Sequence, residues 1–294
     1  MQHGLGVDCC NAKSPTDEHL QMSALLPIRE VEKPWGKDKL PAPFSAAEGM
    51  RIGEIWFEPP AALPELLVKY IFTSEALSVQ VHPTDAQTIA KGLGRQGKEE
   101  CWLIVAAEPG GKLGIGFNAD ISDEAMRAAA LDGSIEELMT WHDVSPGDFF
   151  YIPGNTVHAI GAGVSLIEVQ QNSDITYRLY DYGRPRELHL EDGVAVAKGE
   201  PYRLERWSKH VPAHGSQLLV DGPLFVLEQV AGAPTAEIAS RYPAALLVIP
   251  REGEVQIGGE TIAPGGCGLA GSLADIRFAD NGVCLLARPC ARIV

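Results

Sequence analysis

The chain of 294 residues is acidic, since 24 Lys and Arg against 39 Asp and Glu give a net charge of −15. That charge repels nucleic acid and anionic membrane surfaces, so we expect neither as a partner, and an anionic substrate would need a local basic pocket. No apolar run approaches the ~20 residues of a membrane span, and the six cysteines lack the spacing of a disulfide framework or a zinc finger. We therefore expect a cytoplasmic protein with reduced thiols.

Short apolar or alternating runs separated by Gly and Pro recur along the chain and predict a mainly β protein made of sandwiches or barrels. A shorter helix should follow Pro83, with Thr84 or Asp85 as its cap. The Ala-, Glu- and Leu-rich segment near residues 120–142 predicts a helical insertion, in which Ser134 and Glu137 have the spacing of a capping box. Because the pattern is all-β again beyond about residue 195, we predict two β units, residues 1–195 with an N-terminal extension and residues 196–294.

The stretch LSVQVHP raises the question of a metal site. In a strand, side chains two residues apart point to the same side, so Gln80 and His82 would project together while Val79 and Val81 pack on the other face. A polar pair of this kind is common on the wet face of a strand. More donors are therefore needed before the pair predicts a metal site.

Two further stretches supply such donors. In GKEECWLIVAA, alternation places Glu100 on one face with Trp102, while Glu99 lies on the other. In GDFFYIPGNTVHAIGAG, a tight turn precedes His158, and Asn155 in this turn is the kind of residue that tolerates a positive φ. A charged strand end and an ordinary hairpin with an exposed histidine are the alternative interpretations of these two stretches.

Seven stretches of the first two thirds of the chain carry a resemblance to a known family: KPWG, IGEIWF, LLVKYIF, LSVQVHP, GKEECW, IPGNTVHAIGAG and QNSDITYRLYDYGR. In order and rough spacing they resemble the type I phosphomannose isomerases in their short bacterial form, members of the cupin superfamily. The spacing from Gly147 through Pro153 to His158 is similar to the second cupin motif, although Ala162 stands where that motif usually has asparagine. The resemblance implies two cupin-like jelly-roll β-barrels with a small helical insertion.

The resemblance also implies one Zn²⁺ per chain and a phosphosugar substrate, with reversible interconversion of mannose 6-phosphate and fructose 6-phosphate through an enediol. Its implied zinc ligands are Gln80, His82, Glu100 and His158. Its implied catalytic residues are Arg178, Glu168 and Lys98, with Asp174 as a second choice of base. Substrate contacts fall on Lys69, Lys98, Arg178 and Arg184, and Lys112 and Arg186 are weaker phosphate candidates.

The second β unit contains no histidine after His214, so a cupin-type metal site is not expected there and we predict a metal-free, cupin-like companion domain. Another metal-dependent cupin enzyme, or a sugar-binding cupin without catalysis, is the alternative function, because fold alone excludes neither. The oligomeric state, the physiological direction of the reaction and the residues that hold the phosphate stay open.

Overall fold

The computed structural model describes residues 24–290, so most of the predicted N-terminal extension lies outside the described residues. Numbered along the chain, the strands of the first part are β1 (Ile28–Lys37), β2 (Ile52–Phe57), β3 (Leu66–Phe72), β4 (Val79–Val81), β5 (Glu100–Ala107), β6 (Lys112–Phe117), β7 (Met139–Asp143), β8 (Asp148–Ile152), β9 (His158–Ile160), β10 (Val164–Gln171), β11 (Tyr177–Tyr180) and β12 (Ser208–His210). Those of the second part are β13 (Gln217–Asp221), β14 (Phe225–Ala231), β15 (Leu246–Glu252), β16 (Val255–Ile257), β17 (Glu260–Ile262), β18 (Gly268–Ala270), β19 (Ile276–Phe278) and β20 (Val283–Pro289). The helices are α1 (Asp85–Ala90), α2 (Asp123–Asp132), α3 (Ile135–Leu138), α4 (Leu190–Val196), α5 (Leu204–Trp207) and α6 (Ala236–Ser240), with a 3₁₀ turn at Leu273–Asp275.

The strands form four antiparallel sheets, which confirms the predicted mainly β class. A seven-stranded sheet has the order β1-β2-β3-β10-β5-β8-β12, and a five-stranded sheet has the order β11-β4-β9-β6-β7. In the second part, a five-stranded sheet runs β13-β14-β20-β15-β18 and a three-stranded sheet runs β17-β16-β19. Among the described residues these sheets stay open and do not close into continuous hydrogen-bonded barrels.

The alternation of side chains along the central strands separates two cores. Trp102 and Ile104 of β5 point between the first two sheets, into a core that also holds Phe150 and Leu166. Cys101 points the other way, into a core shared with the second part of the chain. The same two-residue period that predicted a common face for Glu100 and Trp102 therefore sets the interior of the first unit.

The shared core joins the seven-stranded sheet to the sheet built around β20. Tyr70, Phe72 and Val169 on the outer face of the first sheet pack against Phe225 and Leu285 of the second part. The chain stays in the first sheet as far as β12, which pairs with β8, and the strands of the second part begin with β13. The exact division of the chain into two units at residue 195, and the absence of metal from the second unit, stay predictions.

The predicted helices form, with two differences in detail. Thr84 caps α1, as predicted, and makes a capping box with Gln87. The predicted capping box at Ser134 is wrong, because the Ser134 hydroxyl donates to Asp132 Oδ1 (2.6 Å) and makes no cap hydrogen bond to α3. The insertion also ends at Leu138, where β7 begins, a few residues before the predicted end near residue 142.

Four of the six cysteines lie in the described range, Cys101, Cys267, Cys284 and Cys290, and all four are free thiols, as predicted. Cys9 and Cys10 lie outside the described residues. Between residues 24 and 290, none of the helices has the length and apolar character needed to cross a membrane.

Candidate active site

Strand register in the five-stranded sheet brings three of the predicted site residues into one row. Gln80 of β4 lies directly opposite His158 of β9 on one side and opposite Arg178 of β11 on the other. Val79 and Val81 point to the other face of the sheet, where they pack with Met126 under α2. The predicted split of this strand into a polar face and an apolar face is therefore confirmed.

Register in the seven-stranded sheet forms a second row facing the first. Glu168 of β10 lies between Lys69 of β3 and Trp102 of β5, and the next inward pair on the same strands is Gln170 with Glu100. Residues directly opposite one another on neighbouring strands have side chains in contact range. The two rows meet at the end of the first unit's core.

Where the rows meet, His82, Glu100 and His158 form a buried cluster of metal-ligand type, with one donor atom from each within 4.8 Å of the others. His82 Nε2 lies 3.6 Å from Glu100 Oε2, and His158 Nε2 lies 3.4 Å from Glu100 Oε1. Two donors each 2.0–2.1 Å from a tetrahedral zinc lie about 3.4 Å apart, so these spacings fit that ion.

Both imidazoles are held with the same nitrogen pointing into the cluster. His82 Nδ1 is 2.9 Å from the Ile175 carbonyl, and His158 Nδ1 is 2.9 Å from the Thr156 carbonyl. Because a carbonyl only accepts, each Nδ1 carries the proton and donates it, which leaves each Nε2 unprotonated, with a lone pair of the kind that binds a metal. Burial and the Lys98 charge lower the pKa of both rings, that of His158 to about 4, so both are neutral at physiological pH.

The fourth predicted ligand, Gln80, lies beside the cluster with its amide nitrogen 3.2 Å from His158 Nε2. The two ends of an amide are nearly isosteric, so rotation of the group by 180° would present Oε1 at this position. A neutral amide oxygen suits a site in which the positive charge of the metal is to be conserved.

Two observations of the structure show that this set of donor atoms fits a cation. Glu100 Oε1 is fully buried and has no hydrogen-bond partner among the described residues. The Lys98 ammonium lies among the donors, 3.0 Å from His82 Nε2 and in hydrogen-bond contact with Glu100 Oε2. Burial of Glu100 raises its pKa and Lys98 offsets only part of that effect, so the carboxylate needs further positive charge to stay ionised.

The second predicted carboxylate, Glu168, is paired differently. Its Oε2 lies 2.9 Å from Lys69 Nζ, and its Oε1 accepts a hydrogen bond from Trp102 Nε1 at 3.1 Å. Burial alone would raise the pKa of Glu168, but the Lys69 and Lys98 ammoniums outweigh it and hold that pKa below its usual range. Glu168 is therefore a carboxylate at neutral pH.

A cavity of about 550 Å³ opens beside the cluster and is large enough for a hexose phosphate. Most of the predicted substrate and catalytic residues line it. Its charged lining consists of five cations (Lys33, Lys69, Lys98, Arg178, Arg186) and four carboxylates (Glu54, Glu168, Asp174, Glu187). Five cations against four carboxylates give this lining a net charge of +1, so an anionic substrate meets less repulsion there than over a chain with a net charge of −15.

Two predicted substrate cations lie elsewhere. Arg184 is outside the cavity lining, because its guanidinium is bound to buried Asp181 (2.8 Å) and to the Ala76 carbonyl (2.8 Å). Lys112 lies over the ring of Trp141 at 4.5 Å and also does not line the cavity. Arg186, the weaker candidate in the sequence, does line it and pairs with Asp181 from the other side.

Sequence reasoning missed several cavity residues. Lys33 and Glu54 form an ion pair of 3.1 Å at one end, beside Trp56, whose indole nitrogen donates to Glu54. Lys33 lies in KPWG, and Glu54 and Trp56 lie in IGEIWF. Both stretches belong to the resemblance and could have indicated these residues. His189 gave no such signal, yet its Nδ1 accepts the Arg178 backbone N–H at 3.2 Å, which fixes the remaining proton on Nε2.

Comparison with known proteins gives relatives in sequence and in fold, although no protein-family model matches the chain. Mannose-6-phosphate isomerase ManA of Bacillus subtilis is 37% identical over 209 residues, 68% of this chain and 65% of that protein. Mannose-6-phosphate isomerase of Streptococcus mutans is 34% identical over 207 residues, 67% of this chain and 65% of that protein. The chain thus spans 65% of the length of these two relatives.

Among solved structures, that of the mannose 6-phosphate isomerase from Bacillus subtilis superposes with a TM-score of 0.73. The match covers 90% of this chain and 98% of that chain at 23% identity, a level at which it establishes the fold. The predicted resemblance to the phosphomannose isomerases is therefore confirmed, and the chain is related to them by sequence over two thirds of its length and by fold over nine tenths of it.

Proposed function

We propose that the chain is a zinc-dependent aldose–ketose isomerase that interconverts mannose 6-phosphate and fructose 6-phosphate. The observation that carries this proposal is the buried cluster of His82, Glu100 and His158, which lies next to a sugar-sized cavity. Lys98 and Gln80 contact the cluster and also line that cavity. The names of the two sequence relatives support the choice of substrate.

The proposed metal ligands are His82, Glu100 and His158 through the atoms described above, with Gln80 as the fourth. A zinc ion bound there would polarise a sugar oxygen as a Lewis acid. The chain's own residues have to hold the open-chain sugar, move the proton between C2 and C1, and stabilise the negative charge of the enediolate.

Lys98 and Arg178 supply the fixed positive charge. Lys98 is buried, and although burial opposes its charge, Glu100 and Glu168 outweigh that effect and raise its pKa. It therefore acts as a hydrogen-bond donor to sugar oxygens and not as a base. Arg178 reaches the cavity from the facing sheet, held by a bond from its Nη1 to the Glu187 carbonyl (3.1 Å), and its planar fork suits vicinal oxygens.

Glu168 is our choice for the group that carries the proton. It is ionised, buried, and held in place from both sides by Lys69 and Trp102, so it can accept a proton without first losing one. Asp174, which also lines the cavity but is exposed, is the second choice.

The test is an assay of purified protein that couples fructose 6-phosphate formation to a chromogenic reaction, together with a metal analysis. We expect about one zinc per chain, turnover with mannose 6-phosphate, and incorporation of solvent deuterium into the sugar when the reaction runs in D₂O. Glu168→Gln should stop that incorporation and keep the zinc. Zinc-loaded protein that binds the sugar without turnover would instead support a sugar-binding cupin, and protein without metal and without turnover would refute the proposal.

Arg178→Ala should lower kcat by about 10²–10³-fold, because one fixed charge that stabilises the enediolate is lost from an enclosed site. Zinc content should stay at the parental level, since Arg178 lies opposite Gln80 but is not itself a proposed ligand. Lys112→Ala is the matched control, a cation removed from outside the cavity, and its kcat should be unchanged. Loss of zinc together with turnover would show that Arg178 has a structural role instead.

A further inference from the structure

The first turn of α1, formed by Thr84, Asp85 and Gln87, contacts each of the three chain segments that carry the proposed metal ligands. It follows His82 directly through Pro83, which ends β4 because it has no N–H to donate. The segments that lead into Glu100 and His158 both pack against this turn. A Cβ on Gly97 would lie 2.3 Å from the Pro83 carbonyl oxygen, and one on Gly154 would lie 3.0 Å from Thr84 Cγ2.

Gln87 bonds the turn to the segment before His158. Its side-chain Oε1 accepts hydrogen bonds from the Thr84 backbone N–H (2.9 Å) and from Asn155 Nδ2 (2.6 Å). Asn155 adopts a φ of 73° and also donates its backbone N–H to the His82 carbonyl at 2.8 Å. Three residues later, His158 is held by Thr156 of the same turn.

Asp85 bonds the turn to the segment before Glu100. Its Oδ1 accepts the Gly97 backbone N–H (2.7 Å) and Gln171 Nε2 (2.8 Å). Gln171 is buried at the end of β10, and its Oε1 accepts the Glu99 backbone N–H at 3.0 Å. The backbone N–H of Lys98 donates to the Pro83 carbonyl at 3.0 Å. Every residue from Gly97 to Glu99 is thus fixed directly or indirectly to this turn.

We propose that Gln87 and Asp85 are positioning residues, which set the spacing of His82, Glu100 and His158 and thereby the affinity of the site for zinc. The hydrogen bonds described above run from these two side chains to the segments that carry the ligands, so the proposed effect on the metal passes through those segments. The inference rests on the metal site of the proposed function. It requires no catalysis, because the donor spacing matters for metal binding alone.

The chemistry of the Gln87 contacts makes the proposal specific. Its local partner, the Thr84 backbone N–H, and its long-range partner, Asn155 Nδ2, both donate to Oε1, so the role requires an acceptor at this position and not an amide as such. Gln87→Glu keeps that acceptor, whereas Gln87→Ala removes it. In the same way, Asp85→Asn keeps Oδ1 and Asp85→Ala removes it.

The experiment is a titration of metal-free protein with Zn²⁺ in competition with a chromophoric chelator, with folding verified by circular dichroism at the same temperature. We expect Gln87→Ala and Asp85→Ala to bind zinc about 10–100-fold more weakly than the parent, the usual range for residues that orient metal ligands. Gln87→Glu and Asp85→Asn should bind within about threefold of the parent. Ile89→Ala, on the exposed side of the same helix, is the matched control and should leave the affinity unchanged.

If Gln87→Ala fails to fold, Asn155→Gly tests the same hydrogen bond from its donor side. Glycine adopts the positive φ freely, so this substitution removes the Nδ2 donor and keeps the backbone bond to His82. It should weaken zinc binding about 10-fold. The double variant Gln87→Ala/Asn155→Gly should be no weaker than Gln87→Ala, because both remove the same hydrogen bond.

The inference is overturned if folded Gln87→Ala or Asn155→Gly binds zinc as tightly as the parent, or if Gln87→Glu is as weak as Gln87→Ala. A parent that binds no zinc would refute the proposed function as well. A parent that binds zinc and turns over, beside a Gln87→Ala variant of equal affinity, would refute only this inference.

Discussion

Glu100→Gln should leave the protein without bound zinc and lower the proposed isomerase turnover by about 10³-fold or more. The reason is that the proposed site would lose the one anion among its four ligands, and with it the several kcal/mol that a bound metal would contribute. The substitution keeps the size of the side chain, so packing against Trp102 and His158 is preserved. Metal analysis after gel filtration and the coupled assay measure the two effects. Zinc bound at the parental level by the variant would show that Glu100 is not a ligand.

Glu99→Gln is the matched control for this prediction. Glu99 is the neighbouring carboxylate, but it faces the opposite side of β5, where it accepts a hydrogen bond from the Tyr151 hydroxyl. An amide oxygen can accept the same bond. Zinc content and turnover of Glu99→Gln should therefore match those of the parent.

Lys69→Met should destabilise the fold by about 3–5 kcal/mol, since it leaves the Glu168 carboxylate buried without its ion-pair partner. Lys69 is 6% exposed and Glu168 3% exposed, so the ion pair is poorly solvated even though both residues line the cavity. Denaturant unfolding of parent and variant, both free of metal, measures the difference. Adding Glu168→Gln to the variant should recover part of the loss, because it removes the unpaired charge.

Lys33→Met is the control, a lysine of the same cavity paired with Glu54. The Lys33 side chain is 27% exposed, so its ion pair is partly screened and should contribute at most about 1 kcal/mol. Equal losses for Lys33→Met and Lys69→Met, or no loss for either, would contradict the assignment of Glu168 as a charge that depends on Lys69.

What the sequence could predict at the site follows from local geometry. The period of a strand places Gln80 with His82 and Glu100 with Trp102 without any knowledge of the fold. In the structure, both members of each pair lie against the His158 side chain. Asn155 was expected to tolerate a positive φ in the predicted turn before His158, and its φ is 73°.

What the sequence could not predict depends on partners that are distant along the chain. The strand register that places Lys69 opposite Glu168 is set by the packing of whole sheets. The sequence around either residue does not predict that register. Arg184 and Arg186 are two residues apart and chemically alike. Both bind buried Asp181, but Arg184 also donates to the Ala76 carbonyl, whereas Arg186 lines the cavity. The local sequence does not distinguish these two positions. The Ser134 hydroxyl was expected to cap α3, but it donates instead to the carboxylate of Asp132, which lies two residues before it.

The core shared by the two parts of the chain has a consequence for how the protein is made. Strands β3, β5 and β10 are complete once synthesis has passed residue 171, but the aromatic outer face that they present is covered by a sheet whose central strand ends at Pro289. Ribosomes add about 5–20 residues per second, so this face stays uncovered for several seconds during synthesis. During that interval the half-finished chain exposes Tyr70, Phe72 and Val169 to solvent, and a chaperone that holds emerging chains would find a binding surface there.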